Sequence, residues 1–206
     1  MDANKINLEK ARINRIKKSN MDKIYIFTKK LQKNSIKYKN KQIKDIENLK
    51  KELGSIGKDS VVHMFTNLFD SPSLIKYIDL EYGITEAYIS SWAITDRGLS
   101  ILNELSEKGI KCELLLDKTY SYKWVFQSGA NEMLKNVNFK FTENHSKIIL
   151  LKTNDLFISF IGSMNLSNNP RLENIILFEG EDIFNFYKQS LQNYTNDKQG
   201  NLFESQ

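Results

Sequence analysis

Apolar positions from Ser60 onward alternate between the two-residue spacing of strands and the three-to-four-residue spacing of helices. The segments VVHMFTNL, EAYISSWAI and IKCELLLD are rich in β-branched and aromatic residues and predict strands. Between them, SPSLIKYIDLEYG and DRGLSILNELSEKG have helical spacing, with Asp96 suited to an N-cap and Gly109 to a stop. This β-α-β-α-β order favours parallel strands joined by helical crossovers, and hence an α/β layered architecture.

The second half of the chain has a different pattern, that of a hairpin. NFKF leads to HSKIILL, the polar turn KTND follows, and LFISFIGS returns. ENIILFEG then predicts a further strand and IFNFYKQSLQNY a closing helix. The sheet is therefore expected to be mixed, with flanking helices.

The N-terminal segment, residues 1–53, has a helical pattern in which Ile43, Ile46, Leu49 and Leu53 recur at spacings of three and four. Gly54 and Gly57 interrupt this pattern. We therefore predict a helical N-terminal extension over residues 1–56 and a single α/β domain over residues 57–206.

Charge separates the same two parts of the chain. Residues 1–60 contain seventeen Lys/Arg and seven Asp/Glu, a net +10, whereas residues 61–206 contain thirteen and eighteen, a net −5. A basic extension can neutralise nucleic-acid phosphates or lie against an acidic surface. A solvated lysine-rich helix is the plainer interpretation, because lysine commonly fills exposed helix faces.

Composition excludes several classes of protein. With 40% hydrophobic and 27% charged residues the chain is ordinary for a globular protein, and it has neither a run of about 20 apolar residues nor a secretory signal. We expect a soluble, cytoplasmic protein. The lone Cys112 fits a buried strand position, and two histidines with one cysteine are too few soft ligands for a zinc site. We expect no metal and no cofactor.

Candidate chemistry lies in the predicted hairpin. His145 and Lys147 share one face of a strand, because side chains at i and i+2 point the same way. The returning strand brings the GSMN turn, with Ser163 and Asn165, close to them. An imidazole, a fixed cation and an amide around one point are groups that phosphoryl transfer uses.

These residues resemble a known motif. HSK followed by GSMNLS is similar to the HKD motif of the phospholipase D superfamily, which runs His-x-Lys, Asp and then Gly-Ser-x-Asn. The upstream stretch AYISSWAITDRGLSILNELSEKGIKCELLLD and the downstream RLENIIL also resemble that family, so the likeness covers roughly residues 58–196. It implies a phospholipase D-like layered mixed sheet and phosphodiesterase activity.

The resemblance also implies a role for each residue. His145 would be the nucleophile that forms a phosphohistidine, and Lys147 and Asn165 would bind phosphoryl oxygens. Glu173 would hydrogen-bond the far nitrogen of His145, and Ser163 would be a secondary contact.

One position departs from the family pattern. The motif aspartate is expected five residues after the lysine, where this chain has Lys152. Asp155 comes three residues later at the expected distance before Gly162, so a lengthened hairpin would deliver it to the same place; otherwise the acid is missing.

A single motif leaves the chemistry one histidine short, because an attacking base and a leaving-group acid are both needed. The other histidine, His63, lies in a predicted strand without a following lysine. We interpret it as a packed or hydrogen-bonded residue. Single-motif relatives imply a homodimer that places two His145 side chains together.

Two functions follow as hypotheses. The first is a metal-independent DNA or RNA endonuclease of the single-motif dimeric branch. The second, motivated by Lys152, is a weakly active or inactive nucleic-acid-binding or assembly module. The aromatics Tyr120, Tyr122 and Trp124, interleaved with lysines, would either stack on bases or pack against the domain.

Overall fold

A mixed β-sheet organises the chain. The computed structural model describes residues 25–28, 46–67, 69–121, 136–167 and 171–203. The strands are β1 (Tyr25–Thr28), β2 (Val61–Thr66), β3 (Ile84–Ser91), β4 (Lys111–Asp117), β5 (Val137–Thr142), β6 (Ile148–Thr153), β7 (Phe157–Gly162) and β8 (Glu173–Glu179). The helices are α1 (Ile46–Leu53), α2 (Ser71–Tyr82), α3 (Asp96–Glu107) and α4 (Glu181–Phe203), with a 3₁₀ turn at Lys118–Tyr120. In the described part of the chain the strand order is β1-β2-β8-β7-β6-β3-β4-β5.

Two of the predicted strand relations are confirmed. Strands β3 and β4 are parallel neighbours joined by α3. The hairpin is also present, because β6 and β7 are antiparallel neighbours.

The position of β2 differs from the expected one. A run of β-α-β-α-β predicts that β2 lies beside β3, but three strands separate them: β8, β7 and β6. Every step from β2 to β3 is antiparallel, so the two strands still run in the same direction. The hairpin of β6 and β7 and the strand β8 insert between them, which the local sequence pattern does not reveal.

Helices cover the sheet on both faces. Side chains of α1, α2 and α3 join the main buried cluster with alternate residues of the strands, such as Met64, Ile89 and Leu151. On the other face, Phe184 of α4 packs with Tyr88 and Leu150. Burial of these apolar faces accounts for the layered α/β architecture that the sequence predicts.

A polar network lies between α4 and the sheet. Glu86 accepts hydrogen bonds from the Tyr88 hydroxyl at 2.7 Å and from Lys152 at 3.0 Å, and Lys188 of α4 lies 3.5 Å from the same carboxylate. The hydrogen bond from the Tyr88 hydroxyl contributes most to lowering the pKa of Glu86 to about 2, and the two ammonium groups lower it further. Lys152 therefore forms an ion pair that joins β6 to β3.

The N-terminal extension is only partly helical. The prediction of a helix throughout residues 1–53 is wrong at residues 25–28, which form β1 and pair antiparallel with β2. Without β1, β2 would be the edge strand of the sheet. Its backbone groups supply the hydrogen-bond partners that give the short segment YIFT a β conformation. In α1, Leu49 and Leu53 are buried in the main core, as the amphipathic pattern indicates. The remainder of residues 1–53 lies outside the described residues, and the boundary at residues 56 and 57 stays a prediction.

Two smaller expectations concern the rest of the chain. Cys112 is buried in β4, and burial raises the pKa of its thiol to about 12. In the described residues, no helix combines the length and apolarity that crossing a membrane requires.

Candidate active site

The predicted site residues meet at one edge of the sheet. Strands β2, β3, β4 and β7 end at this edge, whereas β6 and β8 begin there. His145 and Lys147 directly precede β6, Ser163 and Asn165 follow β7, and Glu173 opens β8. Mixed strand directions thus collect residues that lie up to 28 positions apart in the sequence.

His145 and Lys147 are in direct contact. The Lys147 Nζ lies 3.1 Å from His145 Nδ1 and donates to the His145 carbonyl oxygen at 2.5 Å. The Lys147 carbonyl oxygen accepts from the Gly162 amide at 3.3 Å, which extends the β6–β7 ladder up to the site. Burial lowers the pKa of Lys147, and the charge of Glu173 opposes this shift in part.

Ser163 and Glu173 form a second pair. Glu173 is only 7% exposed and accepts a hydrogen bond from the Ser163 hydroxyl. Ser163 is itself fixed, because its amide donates to the Asn174 carbonyl at 2.8 Å and its Oγ accepts from the Asn174 amide at 3.0 Å. The structure thus brings Glu173 to the site edge with a hydroxyl on its carboxylate; its predicted bond to His145 stays a prediction.

Gly162 is required by the neighbouring strand. A Cβ at this position would lie 2.0 Å from the Asn174 carbonyl oxygen and 2.8 Å from the Ile175 Cα. The absence of a side chain at Gly162 therefore allows the close approach of β8.

Asn165 lies in a loop held from both sides. Its carbonyl oxygen accepts from the Ser71 hydroxyl at 2.6 Å, and its Oδ1 lies 3.5 Å from the Ser91 hydroxyl. The next residue, Leu166, donates its amide to Ser91 Oγ at 2.8 Å, and its carbonyl would lie 2.4 Å from a Cβ on Gly98. These contacts fix the GSMN turn against the β3–α3 connection.

Comparison with known proteins gives a clear result for the fold. No protein-family model matches the chain, and no curated protein sequence matches it. Among solved structures, Nuc from Salmonella typhimurium, described as a phospholipase D family member, matches with a TM-score of 0.52 and 12% identity, over 66% of this chain and 93% of that one. The polyphosphate kinase from Porphyromonas gingivalis matches with a TM-score of 0.52 and 12% identity, over 68% of this chain and 26% of that one.

The chain has a phospholipase D-like fold. This confirms the fold that the HSK and GSMN segments imply, and with it the mixed sheet with flanking helices. At 12% identity the likeness concerns architecture alone, because one fold can carry unrelated activities.

Asn144 is a site residue that sequence reasoning missed. Its side chain is 6% exposed, and its Nδ2 donates to the Ser91 and Leu115 carbonyl oxygens, at 3.1 Å each. A further bond of 3.0 Å runs to Ser90 Oγ. Because these acceptors lie at the ends of β3 and β4, one buried amide anchors the segment before β6 to two strands of the phospholipase D-like sheet.

The side-chain oxygen of Asn144 holds the backbone around His145. Asn144 Oδ1 accepts from the Ser146 amide at 3.0 Å, which closes an Asx turn with His145 at its centre. The backbone amide of Asn144 donates to Asp117 Oδ2 at 3.1 Å. The Asp117 side chain also accepts from the backbone amide of Thr119 and so caps the following 3₁₀ turn. The only sequence signal was an Asn directly before the motif histidine.

The two candidate positions for the motif acid lie away from this edge. Lys152, five residues after Lys147, lies on the face of β6 that α4 covers, where it pairs with Glu86. Asp155 lies in the β6–β7 turn, at the far end of a six-residue strand that spans about 20 Å. The structure therefore does not bring Asp155 to His145, because the hairpin is in regular register and contains no extra residues that would return it.

Aromatic residues differ in their relation to the site. Tyr120 packs against the main core, whereas Tyr122 and Trp124 lie outside the described residues. Trp92, which the sequence interpretation passed over, contacts His145 with 5.8 Å between ring centroids. Within the described ranges, no cluster of three or more His, Cys, Asp or Glu is placed to hold a metal.

Proposed function

We propose that the protein is a phosphodiesterase, and specifically a metal-independent endonuclease that cleaves DNA or RNA through a phosphohistidine. The observation that carries the proposal is the contact of Lys147 Nζ with His145 Nδ1, at 3.1 Å, on a phospholipase D-like sheet edge. A nucleophile and a fixed cation then lie within reach of one phosphorus atom.

Lys147 sets the resting state of His145. An ammonium is only a donor, so Nδ1 would accept from it in this contact and Nε2 would carry the ring proton. A bound phosphodiester offers the ammonium a charged acceptor, which moves Lys147 to the phosphoryl oxygens and releases Nδ1. The Nε2–H would then donate to Glu173, which holds the ring and stabilises its positive charge.

The reaction proceeds in two steps. The released nitrogen of His145 attacks phosphorus, a P–N bond forms, and the P–O bond to the leaving group breaks while an acid gives that oxygen a proton. Water then attacks the phosphorus of the phosphohistidine and loses a proton to the group that acted as the acid in the first step. The P–N bond breaks, and His145 returns to its free form. Lys147 and Asn165 would stabilise the equatorial oxygens, and Ser163 would keep Glu173 oriented.

The other histidine of the chain, His63, is not placed to supply the acid of this scheme. His63 lies in register with Ile176, Ile161 and Ile148, so three strand spacings, about 14 Å, separate it from β6. Its Nε2 is also 2.5 Å from Asn174 Oδ1. We therefore propose a homodimer in which His145 of a second copy protonates the leaving oxygen.

Mixed subunits test this shared site. Wild-type and His145→Ala chains co-refolded in equal amounts should retain about a quarter of the wild-type activity, because random pairing leaves about a quarter of dimers with both histidines. Activity is measured at constant total protein, and mixing wild type with itself gives the reference. Retention of about half would show independent sites and would count against the dimeric acid.

The proposed function itself is tested by cleavage in a chelator. Purified protein is incubated with plasmid, single-stranded DNA and RNA in excess EDTA, and products are separated on gels. Cleavage should persist, because His145 and Lys147 carry the chemistry. Activity that EDTA abolishes and Mg²⁺ restores would contradict the phosphohistidine route. Binding to all three substrates without cleavage of any would favour the inactive nucleic-acid-binding module instead.

The basic extension offers a second contribution to substrate binding. We propose that its net charge of +10 over residues 1–60 contacts phosphates along the strand, independent of base sequence. This charge exceeds the net −5 of the remainder, which carries the site residues, and leaves the chain with a net charge of +5.

A further inference from the structure

Trp92 is an exposed aromatic side chain held beside the proposed nucleophile. It is 43% exposed, and its ring plane is tilted by 51° to that of His145, with 5.8 Å between centroids. The residue directly follows β3, and no part of the mechanism above uses it.

The backbone around Trp92 is fixed rather than loose. The Ser91 hydroxyl donates to the Ala93 carbonyl at 2.6 Å and accepts from the Leu166 amide at 2.8 Å. Ser91 itself is buried, and Ile94 forms a β-bridge with Leu166. An indole presented to solvent on a rigid support is suited to bind a ligand without a large loss of conformational entropy.

The surrounding charges indicate what kind of ligand this is. Lys147 and His145 present donors for an anionic phosphodiester, whereas the nearby carboxylate of Glu173 is buried and bonded to Ser163. A ligand that occupies both places must carry a planar or apolar group close to its phosphate. A nucleotide does so, because one sugar joins its base to the phosphate.

We propose that Trp92 stacks on a base next to the scissile phosphate and thereby makes single-stranded nucleic acid the preferred substrate class. The inference rests on the proposed nuclease function and extends it to substrate choice. Stacking on an aromatic side chain requires an unpaired, accessible base face, which a closed duplex does not offer.

Base-free substrates give the sharpest test. Trp92→Ala should lower kcat/KM on a single-stranded oligonucleotide by about 10- to 100-fold, as loss of one base stack predicts. On the same strand with abasic tetrahydrofuran residues in place of its bases, the variant and the wild type should differ by less than about twofold, since no stack remains to be lost. Trp92→Phe should retain most of the activity, because it keeps an aromatic face.

A matched control comes from another exposed aromatic residue. Phe186 of α4 is 63% exposed and lies on the helix that covers the other face of the sheet. Phe186→Ala should leave cleavage of both strands unchanged. Equal losses with Trp92→Ala on base-containing and abasic strands would overturn the proposal, because Trp92 would then act only by packing on His145.

A binding measurement separates this inference from the proposed function. The sequence contains two tryptophans, Trp92 and Trp124, so a His145→Ala, Trp124→Phe protein reports the fluorescence of Trp92 without turnover. A single-stranded oligonucleotide should quench it, and the abasic strand should not. Quenching without any cleavage by wild type would contradict the proposed nuclease function but would still support the stacking contact.

Two other outcomes would reject the stacking contact. One is cleavage by wild type with no base-dependent quenching. The second is a shift of Trp92→Ala from dimer to monomer in sedimentation, with no base-dependent loss of activity, which would make Trp92 a contact between subunits.

Discussion

Replacement of His145 by alanine should lower the rate of phosphodiester cleavage by at least about 1,000-fold, because it removes the nucleophile itself. In the proposed dimer the same change also removes the acid that the second copy supplies to the shared site, so both steps lose a reacting group. The measurement is the single-turnover rate on a labelled single-stranded oligonucleotide at saturating protein. Thermal unfolding should be little changed, since His145 is exposed.

The chain supplies its own control for this variant. His63 is the only other histidine, and it lies exposed in β2. His63→Ala should retain cleavage within about twofold, as expected of a surface residue away from the chemistry. If instead His63→Ala is inactive and His145→Ala is active, the nucleophile has been assigned to the wrong histidine.

Replacement of Lys147 by methionine should reduce kcat by about 100- to 1,000-fold, the usual effect of removing one fixed donor from a charged transition state. Methionine keeps an apolar stem of similar length, so the change isolates the ammonium group. Retention of wild-type kcat in Lys147→Met would remove this cation from the mechanism.

Lys152→Met is the matched control within the same strand segment. Lys152 lies on the face of β6 that α4 covers and pairs with Glu86, so its loss should lower the melting temperature without lowering kcat. A selective loss of kcat in this variant would mean that the motif-acid position acts at the site after all.

The pH profile gives an independent check on Lys147. Burial lowers its pKa from the usual 10.5, so the charged form is present below the shifted pKa and is lost as pH rises through it. Activity should therefore decline on the alkaline side before pH 10.5 is reached. Lys147→Arg should move that decline to higher pH, because a guanidinium stays charged throughout the range.

The sequence by itself determined the local elements of this protein. Period-two apolar runs located the strands, and three-to-four spacing located α2 and α3, because each segment buries one face whatever its neighbours are. The parallel pair β3–β4 and the antiparallel hairpin followed from connection lengths. The contact of His145 with Lys147 is also local, because two positions separate them, but both residues lie in the segment before β6 and not within a strand, as the alternation argument assumed.

Only the tertiary structure decided which distant segments meet. It placed β8 and the hairpin between β2 and β3, made residues 25–28 an edge strand, and sent Asp155 to the far end of β6. It also revealed Asn144, whose buried amide bonds three backbone or side-chain groups on other strands. Such contacts depend on how strands order across a sheet, and that order minimises exposed apolar area and unpaired polar groups over the whole chain rather than within any one segment.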